Sequence, residues 1–399
     1  MTIRTTKAWK AAELHYMNLH AESAMPRLLR PRLSPEEIIG QLEDIIKDCP
    51  KFYPALLELG LRRLASGEDD HGKENLEEGY HLMLDLAERA NLNEEIEILI
   101  ENLESLWRFD VSRHYLQKLV ENYPKKPSFH DNLSHAAARL NDIETALFHI
   151  TKAVEMEPDN SSFLSNLGWI HLMAGNLDEA SKALTRAHHI NPDDPVVKGN
   201  FQIHRYLTRD GGNYFDYLLR SLDIAEIDRL ADEEEWETVD VLVESYNSSR
   251  LEAMAHAFLQ ESNKRSRLAD LLSTLRHFFG FVHTLEGGGY VLDEEITYFL
   301  DRFKPILHKF IFKFGDVDRE MIEEIYESLF EYYGFLAQHG LVTTKNFRAF
   351  KKTTLGMKKE LIDKMERYNK IRHNPRINEE EKEAVREELF EGDHGWPFI

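Results

Sequence analysis

The sequence predicts an all-α protein: an N-terminal solenoid of helical hairpins followed by a C-terminal helical bundle. Three observations carry that expectation. Glycine and proline are sparse, 20 and 13 among 399 residues, which disfavours a turn-rich β fold. Pro124, Pro158 and Pro192 recur every 34 residues. Beyond residue 265, apolar residues return at the three- and four-residue spacing of a helix face.

Composition narrows the function classes. Apolar residues make up 42% and charged residues 30%, a mix that folds rather than staying disordered. The length calls for more than one structural unit. A single cysteine, Cys49, excludes an intramolecular disulfide framework and any cysteine-based zinc or iron–sulfur centre. The 49 Lys and Arg face 71 Asp and Glu, a net charge of −22 that disfavours nucleic acid as a general partner. No run of 18 apolar residues suggests a membrane span, and the basic first 35 residues lack the apolar core of a secretory signal. A cytoplasmic location is the expectation.

Taken in order, residues 1–33 read as a helical or flexible segment. Ser34-Pro35-Glu36-Glu37 opens a capped helix that continues through Ile38, Leu42 and Ile45 to Pro50. Leu59-Gly60 and the run Leu76–Arg89 suggest a helix pair with an insertion around Gly67–Gly72. Asn93–Pro124 keeps Leu99, Leu116 and Leu119. From there the period is plain: Leu133 pairs with Leu167, Ala146 with Ala180, Ile150 with Leu184 and Ala153 with Ala187. Asn132, Asn166 and Asn200 fall one period apart. Gly175-Asn176 suits a tight turn between two helices.

In Ser161–Pro192, Leu167-Gly168, Ala180, Leu184, Ala187 and Pro192 stand where the tetratricopeptide repeat family places its signature residues. Pro127–Pro158 matches through Leu133, Ala146, Ile150, Ala153 and Pro158, with Ser134 in place of the glycine. The segment resembles that family clearly over 127–192 and in degenerate form over 34–126 and 193–209. The resemblance implies antiparallel helix pairs that bury their apolar faces only by stacking. It also implies that the first helix of each pair lines a concave groove. The sixth position of that helix often carries an Asn that binds the backbone of an extended peptide. Asn132, Asn166 and Asn200 hold that position, and an amide offers both donor and acceptor. Asp131, His135, Arg139, Ser165, Trp169 and Met173 are the implied neighbours. Arg139 is the one clear basic residue among them, which speaks against a clamp for a C-terminal carboxylate.

After residue 209 the register is lost. Residues 210–264 read as an acidic helical linker, with ten acids and one base, Arg229, over Asp223–Glu244. Residues 265–399 read as the bundle and resemble no family. Leu268–Val282 forms one apolar face, ended by Gly287–Gly289. Ile296, Phe299, Leu300, Phe303, Leu307, Phe310, Ile311 and Phe314 form a second, with Pro305 as a kink or exposed turn. Met321–Leu336 is a third, ended by Gly340. Leu361, Met365 and Tyr368 mark a fourth and Glu379–Phe390 a charged fifth.

Catalytic signatures are missing: no phosphate-binding loop, dinucleotide glycine motif, nucleophile elbow or zinc-protease helix. Glu-x-x-His occurs three times, near the chance rate, so neither metal nor cofactor is expected. One segment reverses the overall charge: Lys345–Arg376 holds eleven Lys and Arg against three acids, with Phe347, Phe350 and Tyr368 interleaved, as in some nucleic-acid platforms. The acidic stretch Glu379–Asp393 offers it an internal counterpart. The expectation is a non-enzymatic adaptor or scaffold that binds a protein partner, as an extended peptide or helix, in the concave groove. Two alternatives stand beside it: a nucleic-acid-associated adaptor using 345–376, and an enzyme with its site in the C-terminal bundle.

Overall fold

The computed structural model describes residues 6–23, 33–87, 91–285, 291–307, 317–372 and 374–391, and among them there are helices and no strand. Gly287–Gly289, Phe310, Ile311 and Phe314 lie outside the described residues. The chain divides into two compact units, residues 1–208 with 258–269, and residues 209–257 with 270–399.

The first unit is a stack of helix pairs: α1 (Lys7–Ser23) with α2 (Pro35–Asp48), α3 (Tyr53–Ala65) with α4 (Asp69–Leu86), and α5 (Leu92–Ser105) with α6 (Phe109–Asn122). Then follow α7 (Pro127–Arg139) with α8 (Ile143–Met156), α9 (Ser161–Met173) with α10 (Leu177–Ile190), and the single helix α11 (Pro195–Asp210). Local chemistry sets the ends. Ser34 caps α2 in a full capping box with Glu37, and Pro35 occupies its first turn. The Gly175 turn between α9 and α10 adopts a left-handed φ of 75°, which glycine accepts without strain. Residues 1–33 contribute a helix with Trp9, Ala12 and Leu19 buried.

Small residues decide how closely the paired helices approach. A side chain at Gly60 would start 2.5 Å from Leu76 Cγ and 2.9 Å from the Gly72 carbonyl oxygen. The sequence expectation of an insertion around Gly67–Gly72 is corrected here. Gly67 makes a tight turn at φ 80°, and Gly72 lies inside α4, where its missing side chain admits α3. In the pair α9–α10, a Cβ at Gly168 would fall 2.6 Å from Leu184 Cγ. Ala137, Ala138, Ala146, Ile150, Ala153, Phe163 and Ile170 form the core between α7–α8 and α9. Leu164, Ala187 and Val197 carry it on to α11.

One polar link joins neighbouring pairs, and a second lies within the pair α7–α8 and the loop that enters it. Arg108, fully buried, donates from Nη1 and Nη2 to Asp69 at 2.8 Å each and from Nε to Asp110 at 2.9 Å. His130 Nδ1 lies 2.9 Å from His149 Nδ1, and His130 Nε2 lies 3.1 Å from the Pro124 carbonyl. With Nε2–H donated to that carbonyl, His130 Nδ1 is left to accept from His149.

The second unit contains α12 (Tyr214–Leu218), α13 (Ile224–Asp232), α14 (Trp236–Leu259), α15 (Leu268–Leu285), α16 (Ile296–Pro305), α17 (Arg319–Gln338), α18 (Thr344–Arg372) and α19 (Glu379–Leu389). The acidic stretch forms α13 and the start of α14. Its Ile227, Leu230, Val239 and Val243 are buried with Tyr246 and Leu292, while most of its acids face solvent. Pro305 is the last residue of α16. The fourth C-terminal helix begins at Thr344, well before Leu361. Its buried face of Phe350, Thr354, Leu361, Met365 and Tyr368 packs on α16 and α17. Phe279, Phe299, Tyr332, Tyr333 and Phe350 form a chain of edge-on and tilted ring contacts in this core.

Two outcomes follow. Gly168→Ala should cost roughly 1–3 kcal/mol, because Leu184 must move. Gly199→Ala on α11, where a Cβ meets open space, should be neutral or stabilising by about 0.5–1 kcal/mol; paired thermal melts check both. The second outcome concerns pH. Burial, then His130 and Arg113, hold His149 down to about 4, against an ordinary value of 6.5. Its neutral form is favoured by folding, so its contribution is intact above pH 6.5. It is lost as the pH falls from 6.5 towards 4. Melts across that window should show a shallower decline for His149→Gln than for the wild type.

Candidate functional site

Two of the three asparagines in the row are spent on the protein itself. On α9, Asn166 Nδ2 donates to Asp131 Oδ1 of α7 at 2.8 Å. On α11, Asn200 is buried, and its Nδ2 donates to Ser165 Oγ at 3.1 Å and to the Ser165 carbonyl at 3.4 Å. Asn132 and Met173 are half-buried. The Asn166 and Asn200 amides therefore tie one helix pair to the next. Burial raises the Asp131 carboxyl above its ordinary value, and the Asn166 hydrogen bond works against that rise.

Around Arg139 the same face is closed by aromatic rings. Its guanidinium carbon lies 5.6, 5.9 and 5.5 Å from the ring centres of Trp107, Phe109 and Trp169. Nε points to His135 Nε2 at 3.3 Å, and the His135 ring lies 5.9 Å from that of Trp169. The Arg139 carbonyl accepts from Gln260 Nε2 at 3.5 Å, within the segment 258–269 that belongs to this unit. Burial pushes Glu104 up to about 7. Burial, helped by Arg139, pushes His135 down to about 3. At pH 5 to 6, between those two values, both side chains are neutral, as a poorly hydrated cluster requires.

The open part of the face lies nearer the N-terminus. A groove of about 960 Å³ runs between α1, α3 and α5. Leu57, Leu61 and Phe52 form its floor, with Trp9, Tyr16 and Met17 on one side and Ile98, Leu99 and Asn102 on the other. Met17 is 63% and Ile98 49% exposed, so apolar surface stands ready to be covered. Its polar lining is internally paired at Glu58, with Arg62 Nη2 at 3.0 Å and His20 Nε2 at 2.8 Å, and at Glu95, which accepts from Tyr53 Oη. Burial first, and the Glu58 carboxylate second, hold the Tyr16 phenol well above its ordinary value.

Register connects the two stretches. Leu59, Leu99, Leu133 and Leu167 are equivalent, so the residues just before them, Glu58, Ile98, Asn132 and Asn166, occupy one row. The face expected to bind is thus the same along the stack, but its chemistry changes from apolar and open to polar and internally bonded. The usable signal was the apolar filling of these positions by Leu57, Leu61 and Ile98.

In the second unit, Asp293 Oδ1 lies 3.1 Å from His283 Nε2. The Asp293 backbone N–H donates to Asn247 Oδ1, and Tyr333 Oη donates to its carbonyl. Burial pushes Asp293 up to about 6, and the hydrogen bond to Asp293 raises His283. These bonds, with the one from Asn247 Nδ2 to the Val291 carbonyl, pin the chain at 291–293. Among the described residues no cluster of three or more His, Cys, Asp or Glu side chains is placed to hold a metal ion.

Residues 137–199 match the family model of the tetratricopeptide repeat. The protein carries tetratricopeptide repeats. Among solved structures, it is similar to YrrB, described as a tetratricopeptide repeat protein with an unusual peptide-binding site. The identity is 17%, covering 49% of this chain and 98% of that one, with a TM-score of 0.33. It is also similar to MamA AMB-1, at 17% identity over 47% of this chain and 96% of that one, with a TM-score of 0.30. No curated protein matches the chain. The tetratricopeptide fold is that of a protein-interaction adaptor, and no described helix is long and apolar enough to cross a membrane.

Asn200→Ala should destabilise the tetratricopeptide stack by about 1–3 kcal/mol, since Ser165 loses its buried partner. Asn132→Ala should cost under about 0.5 kcal/mol. Denaturant titrations of the two variants measure the difference.

Proposed function

We propose that the protein is a non-enzymatic adaptor that captures an apolar segment of a partner protein in the groove between α1, α3 and α5. The observation that carries this reading is the open, apolar filling of the repeat positions that are polar and self-bonded further along. Covering a side chain such as Met17 or Ile98 is worth about 1.5–3 kcal/mol each. Glu58, buried in the groove floor, is held by Arg62 and His20, and ties α1 to α3 so that the groove keeps its shape. Asn132, Asn166, Asp131 and the cluster around Arg139, His135, Trp169 and Met173 then act as the rigid frame behind the groove. A cytoplasmic setting fits this reading.

The nucleic-acid alternative loses its stacking platform, because Phe350 and Tyr368 are buried and Phe347 is half-buried against Gly334. The enzyme alternative has its strongest cluster at Asp293, which is consumed by structural bonds.

Met17→Glu and Ile98→Glu change exposed positions and should leave the melting temperature nearly unchanged. Each should weaken binding of a partner recovered from native extract by about tenfold or more, measured by titration. Asn132→Ala should keep affinity within about threefold. Loss of binding in the asparagine variant with normal binding in the groove variants would place the contact on α7 and α9 instead.

A further inference from the structure

Residues 345–359 contain six Lys and Arg and no acid, in a chain of net charge −22. They open α18, the longest helix of the second unit. Lys351 lies over the Phe330 ring at 5.1 Å, and Lys358 comes within 3.8 Å of Glu323. The other four, Lys345, Arg348, Lys352 and Lys359, are exposed. None of these four has a partner among the described residues.

Their spacing is three, four and seven residues, the spacing of a single heptad seam. Leu355, 45% exposed, fills the next position of that seam. At 1.5 Å per residue the row is about 21 Å long. Four like charges on one helix face repel one another, and nothing inside the described molecule relieves them.

The other half of the same helix shows what relieves such charge here. Arg367 makes two parallel bonds to Glu388 of α19, at 2.8 and 2.6 Å. Phe390, just after α19, sits edge-on to Tyr368 at 5.4 Å and under Lys364 at 4.7 Å. An acidic helix carrying an apolar residue thus covers the C-terminal half of α18 and stops short of the seam. A phosphate backbone would gain from the charges, but the helix offers its bases no exposed ring on which to stack.

We propose that the seam of Lys345, Arg348, Lys352, Leu355 and Lys359 docks an acidic amphipathic helix from a partner protein. The partner helix sets carboxylates against the four cations and an apolar residue against Leu355, as α19 does on the other half. This surface belongs to the second unit and stands independently of the groove in the first.

The test uses the full chain and three fluorescent probes. One is a three-heptad helical peptide with glutamates and one leucine along its seam. The second is a proline-interrupted peptide of equal charge. The third is an oligouridylate of equal charge. The helical peptide should bind at low ionic strength, weaken as salt is added, and bind about tenfold or more tighter than either other probe. Lys345→Glu/Lys352→Glu should lose about tenfold or more of that affinity, and Lys345→Gln/Lys352→Gln an intermediate amount. Lys47→Glu/Lys51→Glu, the same charge change in the first unit, should bind like wild type. Equal binding of the proline-interrupted peptide, tighter binding of the oligouridylate, an unaffected seam variant, or no binding of the helical peptide each overturns the proposal.

Discussion

The close approach of paired helices governs the first unit. At Gly60 and Gly168 no side chain fits between the partners, so each pair closes to a fixed separation. That separation aligns the apolar faces so that the next pair can cover them. Leu164, Ala187 and Val197 pass the core from α9–α10 to α11 only because their helices are held at that distance. Widening one pair would tilt everything stacked on it, since the fold has no central core to absorb the error.

The inner face of the stack is built on one register but has two chemistries. Where it carries Asp131, Asn166, Ser165 and Asn200, the polar groups find one another and brace adjacent pairs. Where it carries Leu57, Leu61 and Ile98, no such internal satisfaction exists, and the face opens into the groove. A repeat position can therefore strengthen the array or recognise a partner, according to whether its side chain finds a mate on the next helix.

Much of this was legible in the sequence, for identifiable reasons. The 34-residue period and the small residues over 127–192 gave the fold of that stretch, because such packing leaves few substitutes for Gly168 or Ala180. The capping box at Ser34 marked α2 for the same local reason. α1 was harder to see, since Trp9, Ala12 and Leu19 bury it while Leu14 and Met17 stay exposed, so its apolar residues mark no single face. The early start of α18 was hidden by Thr354, a polar residue in the buried face that bonds the Phe350 carbonyl. The groove between α1, α3 and α5 has no comparable mark in the sequence, because Leu57, Leu61 and Ile98 are residue types equally suited to a buried face. Whether an amide faces solvent or its neighbour depends on the adjacent helix, which a single repeat does not specify.

Arg108 has a consequence for how the array comes apart. Its guanidinium is wholly buried and bonded at once to Asp69 at the head of α4 and Asp110 in the first turn of α6. Opening either pair alone would strand that cation in the interior, a far greater loss than a broken surface pair. In nearest-neighbour terms the link adds a large coupling energy at one junction of a linear array. The pairs α3–α4 and α5–α6 thus melt together as one cooperative block, and they supply two of the three walls of the groove. Fraying that begins at α11 can progress far along the stack before it reaches them.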